Sequence, residues 1–393
     1  MTQAKYSLDH IRLRLNQLDD QLLNILSERR ALSIEVAKSK VETAKPVRDA
    51  AREQELLVKL INNGKEKYQL DANYITKLFH TIIEDSVLLQ QSYLQNLVNP
   101  QDSRQPLVRV AFLGSKGSYS HLASREYFSR KNNELIELNC HHFKDIATTV
   151  ETGHADFGVL PIENTSSGSI NEVYDLLQNT TLYIVGEMTL PIEHCLLAQQ
   201  DIRIEDIKTL YSHPQPHQQC SEFLSHLDGV TLESCASTAD AMKKVKALNR
   251  NDVAAIGNSS SGKLYGLQKI QGNIANQTEN HTRFIVVARK SVEVSPQIPA
   301  KTTIIMSTSH QAGSLVETLL VLQRYGINMT KLESRPIMGN PWEEMFYVDL
   351  EAHLDSQPMQ QALAELTKIT RHLKVLGCYP IENVKPTSID LEV

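Results

Sequence analysis

From Ser7 the chain sets Leu8, Ile11, Leu15, Leu18, Leu22 and Ile25 at alternating intervals of three and four. This is the spacing of a helix with one apolar stripe, and strong helix formers carry it to about Lys40. At about 1.5 Å per residue the rod is about 50 Å long. A near-heptad stripe of this length needs cover from other helices, and a second chain is the natural source. Pro46 marks a break and opens a second helix through "VRDAAREQELLVKLI", which Asn62, Asn63 and Gly64 stop. A third helix starts behind Asp71 as N-cap and runs through "YITKLFHTIIEDSVLLQQSYL".

Beyond the polar, turn-rich "NLVNPQDSRQP" the period changes. Short β-branched runs, "LVRVAFLG", "DFGVLPIE", "TLYIVGEM", "VAAIGN" and "FIVVAR", read as strands separated by amphipathic stretches such as "TADAMKKVKAL". A second linker, "SVEVSPQIPAK", precedes strand "TTIIMST", helix "GSLVETLLVLQRYG", strands "MTKLESRPI" and "EEMFYVDLEAHL", helix "MQQALAELTKIT" and a short strand near "KVLGCYP". That order, βαββαβ, predicts a ferredoxin-like module. The expected fold class is multidomain α and α/β: a helical domain over 1–96, a two-lobed α/β domain over 106–290 and the small module over 301–385.

A chain of 393 residues with 41% hydrophobic content can bury several cores. Its net charge of -6, without a basic tract, excludes an electrostatic footprint for nucleic acid or an anionic membrane. No stretch has the length of apolar residues that a bilayer span needs, and "MTQAKYSLDHIRLRL" has no apolar core behind its positive charge, so a cytoplasmic location is expected. Cys140, Cys195, Cys220, Cys235 and Cys378 are scattered without a CxxC pair and read as buried thiols. His213 and His217 have metal-like spacing, but the prolines of "SHPQPH" and the lack of a partner make them loop histidines, and no metal is expected.

Several polar groups sit where a ligand could use them. Arg12 and Arg29 stand about 25 Å apart along a straight helix, so one small ligand can touch both only if Arg12 comes from a second chain. Arg29 and Lys40 are about 16 Å apart and nearly on one face. Asp49 and Glu53 form an i,i+4 pair on the second helix, as do Ser86 and Gln90 on the third. In the α/β region, the turn in "RVAFLGSKGSYSH" and the start "PIENTSSGS" point backbone amides at an anion. Neither carries a P-loop or a full GxGxxG pattern. "YSHPQPHQQC" adds a polar loop and "NHTRFIVVAR" puts Thr282 and Arg283 at the mouth of a strand. Each alone reads as a cap, a turn or a solvated charge; their joint occurrence is what marks a ligand site.

The segments "LDDQLLNILSERR", "AKSK", "VRDAAREQELL" and "FHTIIEDSVLLQQ" resemble the helical domain of the bifunctional chorismate mutase/prephenate dehydratases, and "ENTSSG" and "TRF" resemble their dehydratase domain. The resemblance covers nearly the whole chain. It implies that Arg12 of a partner chain and Arg29 hold the carboxylates of chorismate, that Lys40 and Gln90 face its ether oxygen, and that Asp49 and Glu53 hold the ring hydroxyl, with Arg52 and Ser86 nearby. For prephenate it implies Thr282 as the catalytic group, Glu163, Asn164, Ser212 and Gln219 in the cleft, and Arg283 as a carboxylate partner. It makes the last module an ACT domain that binds phenylalanine through Gly313, Ser314, Leu315 and Val316 and through Glu333, Ser334, Arg335 and Pro336, where the pattern alone also allows a structural hairpin with Trp342 packed on it. No cofactor is implied, and a homodimer or higher homo-oligomer is. Ser115 stands where the family often has proline. Fold alone leaves open a non-catalytic amino-acid-sensing regulator on a bilobal solute-binding fold, or a dehydratase whose helical domain has decayed.

Overall fold

The computed structural model describes residues 7–100, 107–131, 133–200, 202–277, 279–337, 339–340 and 343–381; Trp342 lies outside them. The described chain forms two compact units.

The first unit is built on three helices, α1 (Leu8–Thr43), α2 (Ala50–Tyr68) and α3 (Ala72–Val98). Ser7, Asp49 and Asp71 cap them, each side chain accepting from a backbone amide of the first turn. The second helix departs from its expected limits at both ends. It starts four residues after Pro46, where Asp49 offers a cap, and it runs through Gly64 to Tyr68. Gly64 is no stop signal: a Cβ there would lie 2.1 Å from Ile75 Cδ1, so its small size serves the crossing of α3. Close approach outweighs the helix cost of glycine, about 1 kcal/mol. The segment Val294–Pro299, expected as linker, belongs to this unit, and Gln297 O accepts from Val47 N at 2.9 Å. On α1 only Ser33 and Ala37 are buried, and the stripe from Leu8 to Ile25 stays 44% to 62% exposed on the single chain.

The second unit holds three sheets. The first lobe carries β1 (Leu107–Leu113), α4 (Tyr119–Ser129), β2 (Glu134–Cys140), α5 (Phe143–Glu151), β3 (Phe157–Asn164), β4 (Gly168–Ser169), α6 (Asn171–Asn179) and β5 (Tyr183–Pro191). The chain then crosses to a second lobe of β6 (Cys195–Ala198), β7 (Thr209–Ser212), α7 (Pro214–Gln219), α8 (Ser221–Leu224), β8 (Thr231–Ser234), α9 (Thr238–Leu248), β9 (Val253–Gly257), α10 (Ser259–Leu264) and β10 (Gln268–Gln271). It returns through β11 (His281–Ala288), which inserts antiparallel between β3 and β5, giving the order β2-β1-β3-β11-β5; the second sheet runs β10-β6-β9-β7-β8. "PIENTSSGS" does not open a helix. Its residues finish β3, turn, and fold back as β4, with Asn164 opposite Gly168.

The last elements are β12 (Ala300–Thr308), α11 (Ser314–Arg324), β13 (Asn328–Pro336), β14 (Glu344–Glu351), α12 (Gln357–Ile369) and β15 (Thr370–Pro380), in the sheet order β13-β14-β12-β15. The order is the βαββαβ read from the chain, although the final strand is 11 residues long rather than short. Period-2 alternation splits this sheet between two cores. Ile304, Met306, Val348 and Leu350 pack with the two helices, while Ile305, Met345, Tyr347, Leu376 and Tyr379 join the first lobe's Val173, Tyr174 and Ile184.

Candidate functional site

In the helical unit a hydrogen-bond chain links α1 to α3 and to the connection between α1 and α2. Lys40 Nζ donates to Gln90 Oε1 at 3.0 Å and also to the Val47 carbonyl. Gln90 Nε2 donates to Ser86 O at 3.2 Å and Oγ at 3.3 Å, and Ser86 Oγ lies 2.7 Å from Ser33 Oγ, which donates to Arg29 O. The Gln90 amide thus turns Nε2 toward Ser86 and Oε1 toward Lys40. Glu53 is held by Arg48, Nε to Oε2 3.1 Å, a partner that the sequence reading missed. Burial lowers the pKa of Lys40 although Asp49 and Glu53 pull the other way. Among the described residues the buried Arg29 Nε has no hydrogen-bond partner, an orphan donor of the kind a ligand satisfies.

Three expected residues are used otherwise within the single chain. Asp49 is the N-cap of α2 and accepts from Arg52 N at 3.0 Å, so it precedes the helix rather than pairing with Glu53 along it. The Arg52 side chain, 72% exposed, reaches Glu55 at 3.4 Å. Arg12 sits at the far end of α1, exposed and 3.9 Å from Asp9.

In the bilobed unit the register of β3 against β11 sets Asn164 opposite Thr282 and Glu163 opposite Arg283. Neighbouring residues on a strand point to opposite faces, so these are two sites and not one. On the first face Asn164 Oδ1 accepts from the amides of Ser166 and Ser167, both at 3.0 Å. Backbone donors fix the amide's orientation. Its Nδ2 therefore donates, to Thr282 Oγ1 at 2.9 Å and to Asn280 Oδ1 at 2.8 Å. Thr282 accepts there and keeps its own proton for another partner. From the second lobe Gln219 Nε2 reaches Asn164 Oδ1 at 3.4 Å and Gln215 Nε2 reaches Ser167 Oγ at 2.7 Å. Ser212 ends β7 nearby in sequence, buried, donating to His213 O.

On the other face Arg283 does not await a carboxylate, because it already holds two. Its Nη2 lies 2.7 Å from Glu187 and its Nη1 2.6 Å from Asp349, while Lys301 Nζ lies 2.5 Å from the other Glu187 oxygen. Thr303 Oγ1 bridges Asp349 and Tyr379 OH at 2.6 and 2.9 Å. Glu163 points the same way and pairs with Lys331 at 3.0 Å. Ser115, in the Gly-rich turn of the first lobe, spans to the second: it accepts from Lys243 at 2.6 Å and lies 3.3 Å from Asp240. A proline there has no hydroxyl for either contact.

At the third sheet a cavity of about 470 Å³ is lined by residues 308–316, Glu343, Glu344 and Phe346. Gly313 opens α11 at φ 88°, and Ser314 Oγ lies 2.9 Å from Ser309 Oγ. Gly313, Ser314, Leu315 and Val316 thus share one pocket. The second expected segment does not line it. Glu333 accepts from Ser169 at 2.6 Å and Arg335 grips Asp175 through two 2.9 Å bonds, so both face the first lobe, while Ser334 and Pro336 lie exposed on the opposite side. Among the described residues no three His, Cys, Asp or Glu side chains gather as a metal group, and no helix is long and apolar enough to cross a membrane.

Sequence reading also missed His194, Tyr119 and Asn280. Asn280 lies in "NHTRF", two residues before Thr282, where nothing in the spacing sets it apart. A buried histidine has no periodicity to betray it.

Comparison with known proteins gives matches to both units. Residues 11–91 match the family model for chorismate mutase type II and residues 110–292 that for prephenate dehydratase. The bifunctional chorismate mutase/prephenate dehydratase of Enterobacter agglomerans is 56% identical over 376 residues, 96% of either chain. That of Escherichia coli K12 is 55% identical over 379 residues, 96% of this chain and 97% of the relative. Among solved structures, the prephenate dehydratase of Arthrobacter aurescens in complex with L-Phe superposes with a TM-score of 0.64 at 25% identity, over 71% of this chain and 92% of its own. A structure described as a novel type of quorum quenching acylase, GqqA, gives 0.62 at 30% identity, over 69% of this chain and 97% of its own.

Proposed function

The chain belongs to the family of bifunctional chorismate mutase/prephenate dehydratases, and from that premise we propose which side chains carry out its two reactions. It converts chorismate to prephenate and prephenate to phenylpyruvate, in phenylalanine biosynthesis. Membership sets aside the reading as a non-catalytic sensor.

The first reaction is a Claisen rearrangement: the ether C–O bond breaks as a C–C bond forms, with no nucleophile and no proton transfer. Restraint and charge suffice. Arg29 and Arg12 of the partner subunit restrain the two carboxylates, Lys40 and Gln90 face the ether oxygen on which negative charge gathers, and Glu53 takes the ring hydroxyl. Ser33 and Ser86 lock the Gln90 amide. The observation that carries this reading is the 3.0 Å contact from Lys40 to Gln90, one charge and one oriented amide brought together from two helices. The uncovered stripe of α1 supports a homodimer as the working form.

In the second reaction the bond from ring carbon to carboxylate breaks, its electron pair enters the ring, and hydroxide departs from the opposite carbon with a proton. Carbon dioxide and water leave. Thr282 donates its hydrogen bond to the departing hydroxyl, because Asn164 occupies the other side of its oxygen. Gln219 and Ser212 hold the substrate.

The third sheet is an ACT domain whose cavity at Gly313–Val316 binds phenylalanine and lowers dehydratase turnover. The capacity for such control lies in contacts that a ligand-stabilised state would rearrange, since a ligand shifts only the states it binds unequally. Purified protein given chorismate, with chorismate, prephenate and phenylpyruvate followed over time and phenylalanine then titrated, tests the whole reading. Chorismate consumption that yields neither prephenate nor phenylpyruvate, or phenylpyruvate formation indifferent to phenylalanine, would contradict its parts separately.

A further inference from the structure

His194 lies in the strap between β5 and β6, where the chain passes from one lobe to the other, and is 1% exposed. Both ring nitrogens are engaged, one from each lobe. Tyr119 OH stands 3.3 Å from Nδ1 and 2.8 Å from Glu193 O; Gln219 Oε1 stands 2.8 Å from Nε2.

Proton positions follow from the far end. Asn164 Oδ1 is pinned as an acceptor by two backbone amides, so Gln219 presents its nitrogen to it and its oxygen to His194. An amide oxygen only accepts, which places a hydrogen on His194 Nε2. Burial lowers the imidazole pKa, against the raising effect of the Gln219 contact, in keeping with a neutral ring carrying that one hydrogen. The donors then run one way: His194 to Gln219, Gln219 to Asn164, Asn164 to Thr282. Reversing any amide would set like poles face to face.

We propose that His194 is a positioning residue of the dehydratase reaction, fixing the Gln219 amide so that the Asn164–Thr282 pair presents the threonine proton to the departing hydroxyl. It does not touch the substrate. Its place in the strap between the lobes sets it against Gln219 of the second lobe, whose amide reaches Asn164 of the first. The inference rests on the role read for Thr282.

Steady-state dehydratase kinetics on supplied prephenate, with mutase turnover of chorismate in the same chain as a check of folding, test the inference. His194→Leu removes the donor and is expected to lower kcat by about tenfold or more with KM changed by less than about threefold. His194→Gln, whose amide nitrogen can occupy the place of Nε2, should recover most of the loss, and His194→Asn, which is too short, should not. The double variant with Thr282→Ala should be no slower than Thr282→Ala alone. An unchanged kcat in His194→Leu beside an inactive Thr282→Ala overturns the inference alone, whereas a fully active Thr282→Ala overturns the reading on which it rests. Should His194→Leu also lose mutase turnover, the Gln and Asn variants decide: equal dehydratase activity in both overturns the inference.

Discussion

Lys331 on β13 and Glu163 on β3 are joined by a 3.0 Å ion pair, so the last sheet of the chain grips the residue next to Asn164. The same lysine lies 3.3 Å from Glu333, whose carboxylate holds Ser169 on β4. Lys331→Met keeps the stem and removes the charge. The expected result is a phenylalanine concentration for half inhibition changed by about fivefold or more, the low end of ordinary coupling energies, with mutase turnover unaltered. Inhibition curves of the two proteins check it; superimposable curves would mean that this contact transmits nothing.

Lys40→Ala should reduce mutase kcat/KM by a hundredfold or more, about 2.7–4 kcal/mol, as removal of a donor to developing negative charge does elsewhere. Dehydratase turnover of supplied prephenate should stay near its original value. Equal loss of both activities would contradict separate sites.

The acidity of Lys40 adds a pH signature. Its pKa is lowered by burial, and the charged form is the one that stabilises the ether oxygen, so mutase activity is present at neutral pH and declines as pH rises through a value below the ordinary lysine range. A profile of kcat/KM for chorismate should show this alkaline limb, and Lys40→Arg, if active, should move it upward.

Thr282→Ala should abolish phenylpyruvate formation while chorismate consumption and prephenate release continue, measured together in one reaction. Thr282→Ser keeps the hydroxyl and should retain a substantial part of the rate.

Gly186→Ala tests the packing of the first lobe. A Cβ at that position would lie 2.0 Å from the hydroxyl of Tyr127, whose side chain is fully buried and cannot withdraw. Overpacking of this kind costs about 1–3 kcal/mol, which denaturant unfolding of the dehydratase unit would register as a lower midpoint.

Periodicity was enough to read the helical rods, the βαββαβ order and most strands, because each repeats one physical demand over many residues. It failed where a single contact decides. Gly64 looked like a helix stop because the close approach of Ile75 comes from another helix. The resemblance puts Arg283 and Glu163 in the cleft with Thr282 and Asn164, although alternation along a strand sends neighbours to opposite faces. His194 was invisible because its value lies in two partners far away in the chain, Tyr119 and Gln219.

The cluster of Arg283, Lys301, Glu187 and Asp349 contains two positive and two negative groups in a nearly dry setting. Hydrocarbon side chains of equal volume could fill such a space at no loss, but removing any one member strands an opposite charge, at about 3–5 kcal/mol. Any path of single replacements toward an oily seam must therefore cross a barrier comparable with much of a domain's total stability. What protects these four residues is the lack of a passable first step, so they should change together or stay.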